Sequence, residues 1–560
     1  MSNGKNRGFL WSLEYYSVMP FLVWFILNCI LRKPVTNLFC NIQQIDPIHD
    51  ALDYGLTVIT VPVVMWGLWI IAVFISTRDK CYALKTGGRS YSSDHGKYKR
   101  TYWELVDYFR DAEPHRLDTE EYPIMDWRKC RGIPLGRDNK HRLVYVPSDT
   151  ETNIAVYGPP GSGKTSGLAI PSVVNYRGSC LVVDIKGDIY NYVRKHNPKR
   201  AKRILRFAPD HPDALEISCH FDPFSGIDKM DPTAKKLFIE SMATVLIPDE
   251  KGSNDNFFTS RGRKLFRGVC HLILAEDPEA SLPDVIHAIL QGSVFDWVKK
   301  AIAIENEDND PDIITAKELM SSFYGTNEKN TSGCWDACCS AIATFSNPVL
   351  DVLLSRSDDS ISNVTLDKGY DIYLQIQQEH LDAYASLFTL VIQTLSAGFT
   401  RRPDSSTGAK NRPILMLLDE FPQLTFDYKL INSDLSTLRS KSVIIMLIMQ
   451  NLSQLEYRYQ QVGARSITGN CNIQVILGSN DPASSKSFSD MFGQKKVLRA
   501  GRSQSTTGTS SFDTFGRSSQ EALDRVYPPE YFGDLSSRGK EIIYLKGKYA
   551  ELNKINCYKD

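Results

Sequence analysis

The chain carries no net charge: 65 basic side chains balance 65 acidic ones across 560 residues. Total charge therefore gives no argument for a nucleic-acid binder, although it hides how the charge is distributed. Zinc-type cysteine spacing is also missing. None of the twelve cysteines forms a CxxC pair, and Cys334, Cys338 and Cys339 have no companion His or Cys at ligand distance. These three read as reduced thiols in a helix. No internal repeat is visible, which excludes solenoids and propellers. Apolar residues are not scarce. A hydrophobic fraction of 42% excludes a disordered chain, and a mean hydropathy of −0.26 excludes a many-span membrane protein.

The apolar residues are unevenly placed. Residues 55–76 contain no charged side chain and are long enough to cross a bilayer core as a helix. Residues 15–31 form a shorter run; no small-residue cleavage site follows it, so a second span is expected rather than a signal peptide. Seven basic residues lie between Arg78 and Arg100. They orient the anchor with both termini and the bulk of the chain in the cytoplasm, at the inner membrane. Residues 1–79 are thus read as a two-span transmembrane anchor and 80–150 as a juxtamembrane linker. The zero charge is a sum of opposed segments: residues 78–100 hold seven basic and two acidic side chains, and residues 101–121 hold two basic and seven acidic.

From Asn153 onward short apolar runs recur at 154–157, 180–183, 204–207, 372–376, 414–418, 443–449 and 473–477, with a last one at 541–545. Most are continuous rather than alternating, the pattern of strands covered on both faces. Helical stretches between them imply an α/β domain with a mostly parallel sheet, over 151–225 and 348–560. Residues 226–347 contain helical spacing at 235–246, 257–274, 282–290 and 331–345 and no strand-like run, so an inserted all-α domain is expected there. The acid-rich stretch 301–312 reads as a solvated loop, and the Ser/Thr/Gly-rich stretch 501–519 as a flexible one.

One motif carries chemistry. Gly158, Pro159, Pro160, Gly161, Ser162, Gly163, Lys164 and Thr165 spell GxxxxGK[ST], after an apolar run and before a helical stretch that opens at Ser166. The glycines let the backbone curl so that its N–H groups face phosphate at the positive end of a helix. Lys164 is placed to reach the β/γ-phosphates and the Thr165 hydroxyl to bind Mg²⁺. Pro171 implies a bend in that helix. Downstream, an apolar strand ends in Asp419 and Glu420. Asp419 is read as the Mg²⁺ partner and Glu420 as the base that polarises an attacking water. Another strand ends at Gln450, suited to sense a γ-phosphate, while Arg439, eleven residues earlier, is either an exposed side chain or one that completes a neighbouring subunit's site.

Together these residues resemble the type IV secretion coupling ATPases of the VirD4/TraG/TraD group. The P-loop runs into GLAIPSVV. VVDIKGD, HFDPFSGID, NFFTSRGRKLF, LLSRSD, LLDEFPQL, MQNLSQL and GSNDPASS then follow in family order. Pro160 and Asp188 depart slightly from the family pattern. The resemblance implies a membrane-anchored, RecA-like ATPase using ATP and Mg²⁺ and assembled as a homohexamer. It implies coupling of a relaxase-bound single DNA strand, or of protein effectors, to the channel subunits of a type IV secretion system. It also implies that Arg439 acts in trans and that Gln450 is a motif glutamine.

Two basic clusters could track phosphates: residues 194–206, and Arg261, Arg263, Lys264 and Arg267 on one predicted helix. Each could equally be a solvated or subunit-contact face. Delivery of protein effectors alone, or double-strand translocation of the chromosome-segregating kind, stay open as alternatives. The latter is disfavoured because neither four spans nor a winged-helix reader is visible.

Overall fold

The computed structural model describes residues 82–83 and 126–560, apart from 139–140, 250–255, 307–308, 409, 506–513, 546 and 560. The expected two-span anchor lies outside the described residues. One helix within them, Leu381–Thr400, lies in a stretch long and apolar enough to cross a membrane. Its Leu381, Phe388, Val391, Leu395 and Phe399 are instead all buried in the protein core.

Twelve strands form the main sheet: β1 (Tyr82–Ala83), β2 (Gly132–Arg137), β3 (Leu143–Pro147), β4 (Ile154–Tyr157), β5 (Ser179–Val183), β6 (Ile204–Phe207), β7 (Asp371–Leu374), β8 (Ile414–Leu418), β9 (Val443–Met449), β10 (Ile473–Ile476), β13 (Lys540–Leu545) and β14 (Lys548–Asn553). The spatial order is β1-β3-β2-β14-β13-β10-β4-β9-β8-β5-β7-β6. From β10 to β6 every neighbouring pair is parallel, so those seven strands end at one edge. The remaining strands extend the sheet mainly through antiparallel pairs, β13 against β10 and β14 against β13.

Side chains alternate across a strand, so each continuous apolar run supplies both faces. Ala155, Tyr157, Leu181, Val183, Met416 and Leu418 enter one core, and Ile154, Val156, Cys180, Val182, Leu415 and Leu417 enter the other. Fully burying one such side chain contributes roughly 1.5–3 kcal/mol, which is why these runs need helices on both sides.

Between β6 and β7 the described residues contain helices but no strand, including Pro232–Leu246, Phe257–Glu276, Leu282–Gln291, Val294–Ala303, Pro311–Ser321 and Glu328–Ile342. Their apolar faces join the first sheet core without a break. The expected loop at 301–312 is shorter than predicted. A helix starts at Pro311, where Asp310 caps it. Asp312 is also not simply solvated, since its carboxylate meets His271 Nδ1 at 2.6 Å and accepts from Lys235 Nζ at 2.5 Å.

Two further expectations change. Part of the stretch read as a linker, 80–150, supplies β1, β2 and β3 of the main sheet, with β2 pairing to β14. Of the segment 501–519, the described residues 501–505 and 514–519 belong to a two-stranded ribbon of β11 (Gln494–Ser505) and β12 (Thr514–Arg525). Its Ser and Thr residues are compatible with extended backbone, and composition alone did not separate that from a loop.

At the other edge of the sheet a buried ion pair joins three elements. Arg200 meets Asp371 at 2.8 Å, both almost fully buried. Arg200 Nη1 also donates to the Tyr176 carbonyl at 2.6 Å, and Asp371 accepts from the Cys180 amide at 2.7 Å. Arg200 belongs to the 194–206 cluster, so this member is structural and not available to a ligand. Truncating one partner leaves an uncompensated buried charge, so Asp371→Ala is expected to destabilise the full chain by about 3–5 kcal/mol. Denaturant melting checks this: an unchanged midpoint would show that the pair contributes nothing.

Candidate functional site

The loop Gly158–Thr165 leaves the end of β4, where the Gly158 amide donates to the Met449 carbonyl of β9 at 3.2 Å. Gly161 and Gly163 have φ of +76° and +93°, a left-handed backbone that glycine adopts without strain. A side chain at Gly158 would stand 2.4 Å from Ser162 Oγ. Lys164 is buried, and its Nζ donates to the carbonyls of Gly158 at 2.6 Å and Pro159 at 3.3 Å. Burial lowers the Lys164 pKa, against the opposing pull of Glu420 and Asp419.

The helix after the loop starts as a wide π turn, Lys164–Ala169, and continues as an α-helix at Ile170–Asn175. Pro171 sits in the first turn of the α-helical part, where its missing N–H matters least. The bend expected from Pro171 is met by this change of helix type.

Parallel pairing sets the rest of the site. Strand β9 lies between β4 and β8, so the ends of the P-loop strand and the acid-bearing strand flank Gln450. Strand β5 pairs with β8 on the far side, Val183 opposite Leu418, which brings Asp184 beside Asp419. Asp419 is pushed up to about 6, first by burial and then by the charge of Glu420; the Glu420 amide and Lys164 pull the other way. The Glu420 amide donates to Asp419 Oδ1 at 3.0 Å. Glu420 itself has φ of +48°, an uncommon conformation for a residue with a side chain. Its carboxylate accepts from Gln450 Nε2 at 3.2 and 3.3 Å and from Gln423 Nε2 at 3.4 Å. Two amides thus hold the carboxylate, and Gln450 is engaged with the candidate base.

Three contributors were not assigned a role from the sequence. Asp184 is raised by burial, but the amides of Tyr190 and Ile189 and the Gln375 side chain hold its charged form, with Tyr190 N at 2.8 Å and Gln375 Nε2 at 3.2 Å. Lys186 is exposed at the tip of β5, and its charge reaches Lys164. Both lie in VVDIKGD, where an acid and a lysine directly follow a buried strand; that pattern was the available signal. The third, Gln423, lies three residues after Glu420, and nothing in its spacing marks it.

Arg439 is not in this group. It lies in the turn Leu438–Lys441, which precedes β9, whereas Gln450 follows β9. A seven-residue strand spans about 20 Å, so Arg439 lies near the opposite sheet edge from its own P-loop. The basic side chains on the helix Phe257–Glu276 are all engaged. Arg261 Nη2 donates to the Ser322 carbonyl at 3.1 Å, and its guanidinium stacks 4.4 Å from the Phe323 ring centre. Arg263 pairs with Asp249 at 2.7 Å, Lys264 Nζ donates to Ser322 Oγ at 2.9 Å, and Arg267 pairs with Glu240 at 3.2 Å. Sequence spacing showed the cluster but not these partners, which lie on or just beyond neighbouring helices.

The backbone cradle, the lysine, the threonine and the carboxylate pair form a donor set suited to a nucleoside triphosphate with a divalent cation. Comparison with known proteins agrees with the architecture. Over 432 residues the chain is 23% identical to VirD4 of Rhizobium rhizogenes, covering 74% of this chain and 60% of that protein. It is 23% identical over 459 residues to the conjugal transfer protein TraG of Escherichia coli, covering 76% and 70%. The match therefore spans less than two thirds of VirD4. Among solved structures, the bacterial conjugative coupling protein TrwBΔN70 in its unbound form superposes with a TM-score of 0.55 at 15% identity, covering 73% of this chain and 85% of that one. TrwB in complex with the non-hydrolysable ATP analogue ADPNP gives 0.55 at 15%, covering 74% and 87%. These likenesses show the fold. The family profile for type IV secretory system conjugative DNA transfer matches residues 129–560, and the chain belongs to that family.

Proposed function

We propose that this protein is a membrane-anchored ATPase that couples a relaxase-bound single DNA strand to a type IV secretion channel, hydrolysing ATP to recruit or move it. The observation that carries the reading is the convergence of Lys164, Asp419, Glu420 and Gln450 on one sheet edge, in a chain of this family. The proposed arrangement is an inner-membrane anchor of two spans with both termini cytoplasmic, a RecA-like motor at 151–225 and 348–560, and the helical unit 226–347. The motor works as a homohexamer against the channel subunits.

ATP with Mg²⁺ supplies the scissile phosphoanhydride bond and the metal charge upon it. The residues Gly158 to Ser166 form the cradle, and Lys164 neutralises phosphate charge. Thr165 and Asp419 offer oxygen ligands of the kind Mg²⁺ prefers. Glu420 takes the proton of the attacking water, and Gln450 and Gln423 aim its carboxylate. Arg439 cannot serve its own site from the far sheet edge, so it is assigned to the neighbouring subunit's, where it stabilises transition-state charge.

Lys164→Ala in the purified full chain is expected to abolish ATP turnover, and full activity would end the P-loop assignment. Gln450→Ala is expected to lower kcat at least about tenfold with a smaller change in KM, because it loosens a group used in the chemical step; equal and small changes would remove Gln450 from the mechanism. Mixing Arg439→Ala with Glu420→Gln subunits is expected to restore part of the activity that each lacks alone, and no restoration counts against a role in trans. Single-stranded DNA is expected to stimulate turnover, with the effect fading as salt rises. No response at low salt would favour protein effectors as the cargo.

A further inference from the structure

Beyond β14 the chain leaves the sheet. It crosses the nucleotide loop. Lys554 directly follows β14, and its Nζ donates to the Ser162 carbonyl at 2.8 Å, the Leu477 carbonyl at 2.9 Å and Ser536 Oγ at 3.3 Å. An ammonium has three donors, and all three are used. Next, the Ile555 carbonyl lies 2.9 Å from where a side chain at Gly167 would begin, so only glycine fits there without a shift. The Cys557 amide then donates to the Ser166 carbonyl at 3.0 Å, and the Cys557 carbonyl accepts from Tyr192 Oη at 3.1 Å. Four consecutive residues thus run along the loop and the first turn of its helix.

The Ser162 contact has a specific consequence. A peptide unit is planar and trans, so its C=O and the following N–H point in opposite directions. Lys554 grips the Ser162 carbonyl from outside the loop, which fixes the direction of the Gly163 N–H. Gly163, with φ of +93°, is a position where this plane could otherwise turn with little steric resistance.

We propose that Lys554 is a positioning residue for the phosphate-binding loop: it holds the Ser162–Gly163 peptide with its N–H turned into the cradle and ties that plane to the tip of β10. The inference rests on the reading of this loop as a nucleotide site. Glu541 of β13 is the acidic group that influences Lys554. Glu541 is almost fully buried; burial raises its pKa, against the pull of Lys554, while burial lowers that of Lys554, against the pull of Glu541. Lys554 is thus a part-buried lysine held by three oxygen acceptors rather than a free surface lysine. Nothing in the local sequence around Lys554 resembles a nucleotide motif.

Lys554→Met in the full chain is expected to weaken binding of a fluorescent ATP analogue at least about tenfold, the range for losing one charge-assisted hydrogen bond. KM for ATP should rise with it while kcat changes less. Because Glu541 without Lys554 is costly to bury, the single variant is paired with Lys554→Met/Glu541→Leu, in which apolar side chains of similar volume replace both polar groups and keep the fold. The double variant should melt near the unaltered chain and still bind the analogue about tenfold more weakly. Unweakened binding by a folded double variant overturns the proposal and leaves only a packing role. Lys164→Ala is the control. If it too binds as the unaltered chain does, the nucleotide reading of the loop fails; if it loses binding while the double variant does not, the positioning role of Lys554 alone fails.

Discussion

Like charges crowded at one edge of a parallel sheet are the constraint on which this structure turns. Parallel strands all finish on the same side, so a chain that ends β5 in Asp184 and β8 in Asp419 and Glu420 necessarily places three carboxylates together. Burial of two of them makes matters worse, and both are shifted toward their neutral forms. The surroundings answer with donors. Lys164 supplies a charge, the amides of residues 189, 190 and 420 supply dipoles, and Gln375, Gln423 and Gln450 supply side-chain N–H groups. Excess negative potential beside a backbone cradle is what a site needs if it is to favour a divalent cation alongside phosphate.

The helical unit between β6 and β7 is held by the same physics of burial. Its core is continuous with one face of the sheet, and a hydrogen bond from Gln393 on the central helix reaches Ser241 on the helix Pro232–Leu246. Packing of this density does not deform continuously. The helical unit is therefore tied to the sheet face it covers, unless the shared core is itself rearranged.

The central strands were legible because buried parallel strands are written as unbroken apolar runs: β4, β8 and β9 begin and end where the runs do. The P-loop and the Asp419–Glu420 pair were legible because their chemistry is local, a few residues in fixed order. What stayed hidden depends on distant partners. β2 and β14 sit on the antiparallel side of the sheet, where Pro134, Gly136 and charged residues break the apolar pattern. The Ser/Thr-rich composition of β11 and β12 hides an extended pairing. Arg200 and Arg261 look like free cations in sequence, and only the fold supplies Asp371 and Phe323. Lys554 lies 390 residues from the lysine of the loop it braces, too far for any spacing rule.

The same strand that separates the P-loop from the acid pair also bears on the proposed ring. β9 is buried along its whole length and bonded to β4 on one side and β8 on the other. Gln450 follows its last residue and Arg439 lies four residues before its first. A strand fixed by two ladders cannot bend to bring both ends to one phosphate. What Arg439 contributes to hydrolysis on the proposed assignment goes to another copy, whose own arginine is displaced in the same way. On the proposed assignment no subunit holds a finished site, and the rigidity of β9 is what enforces that.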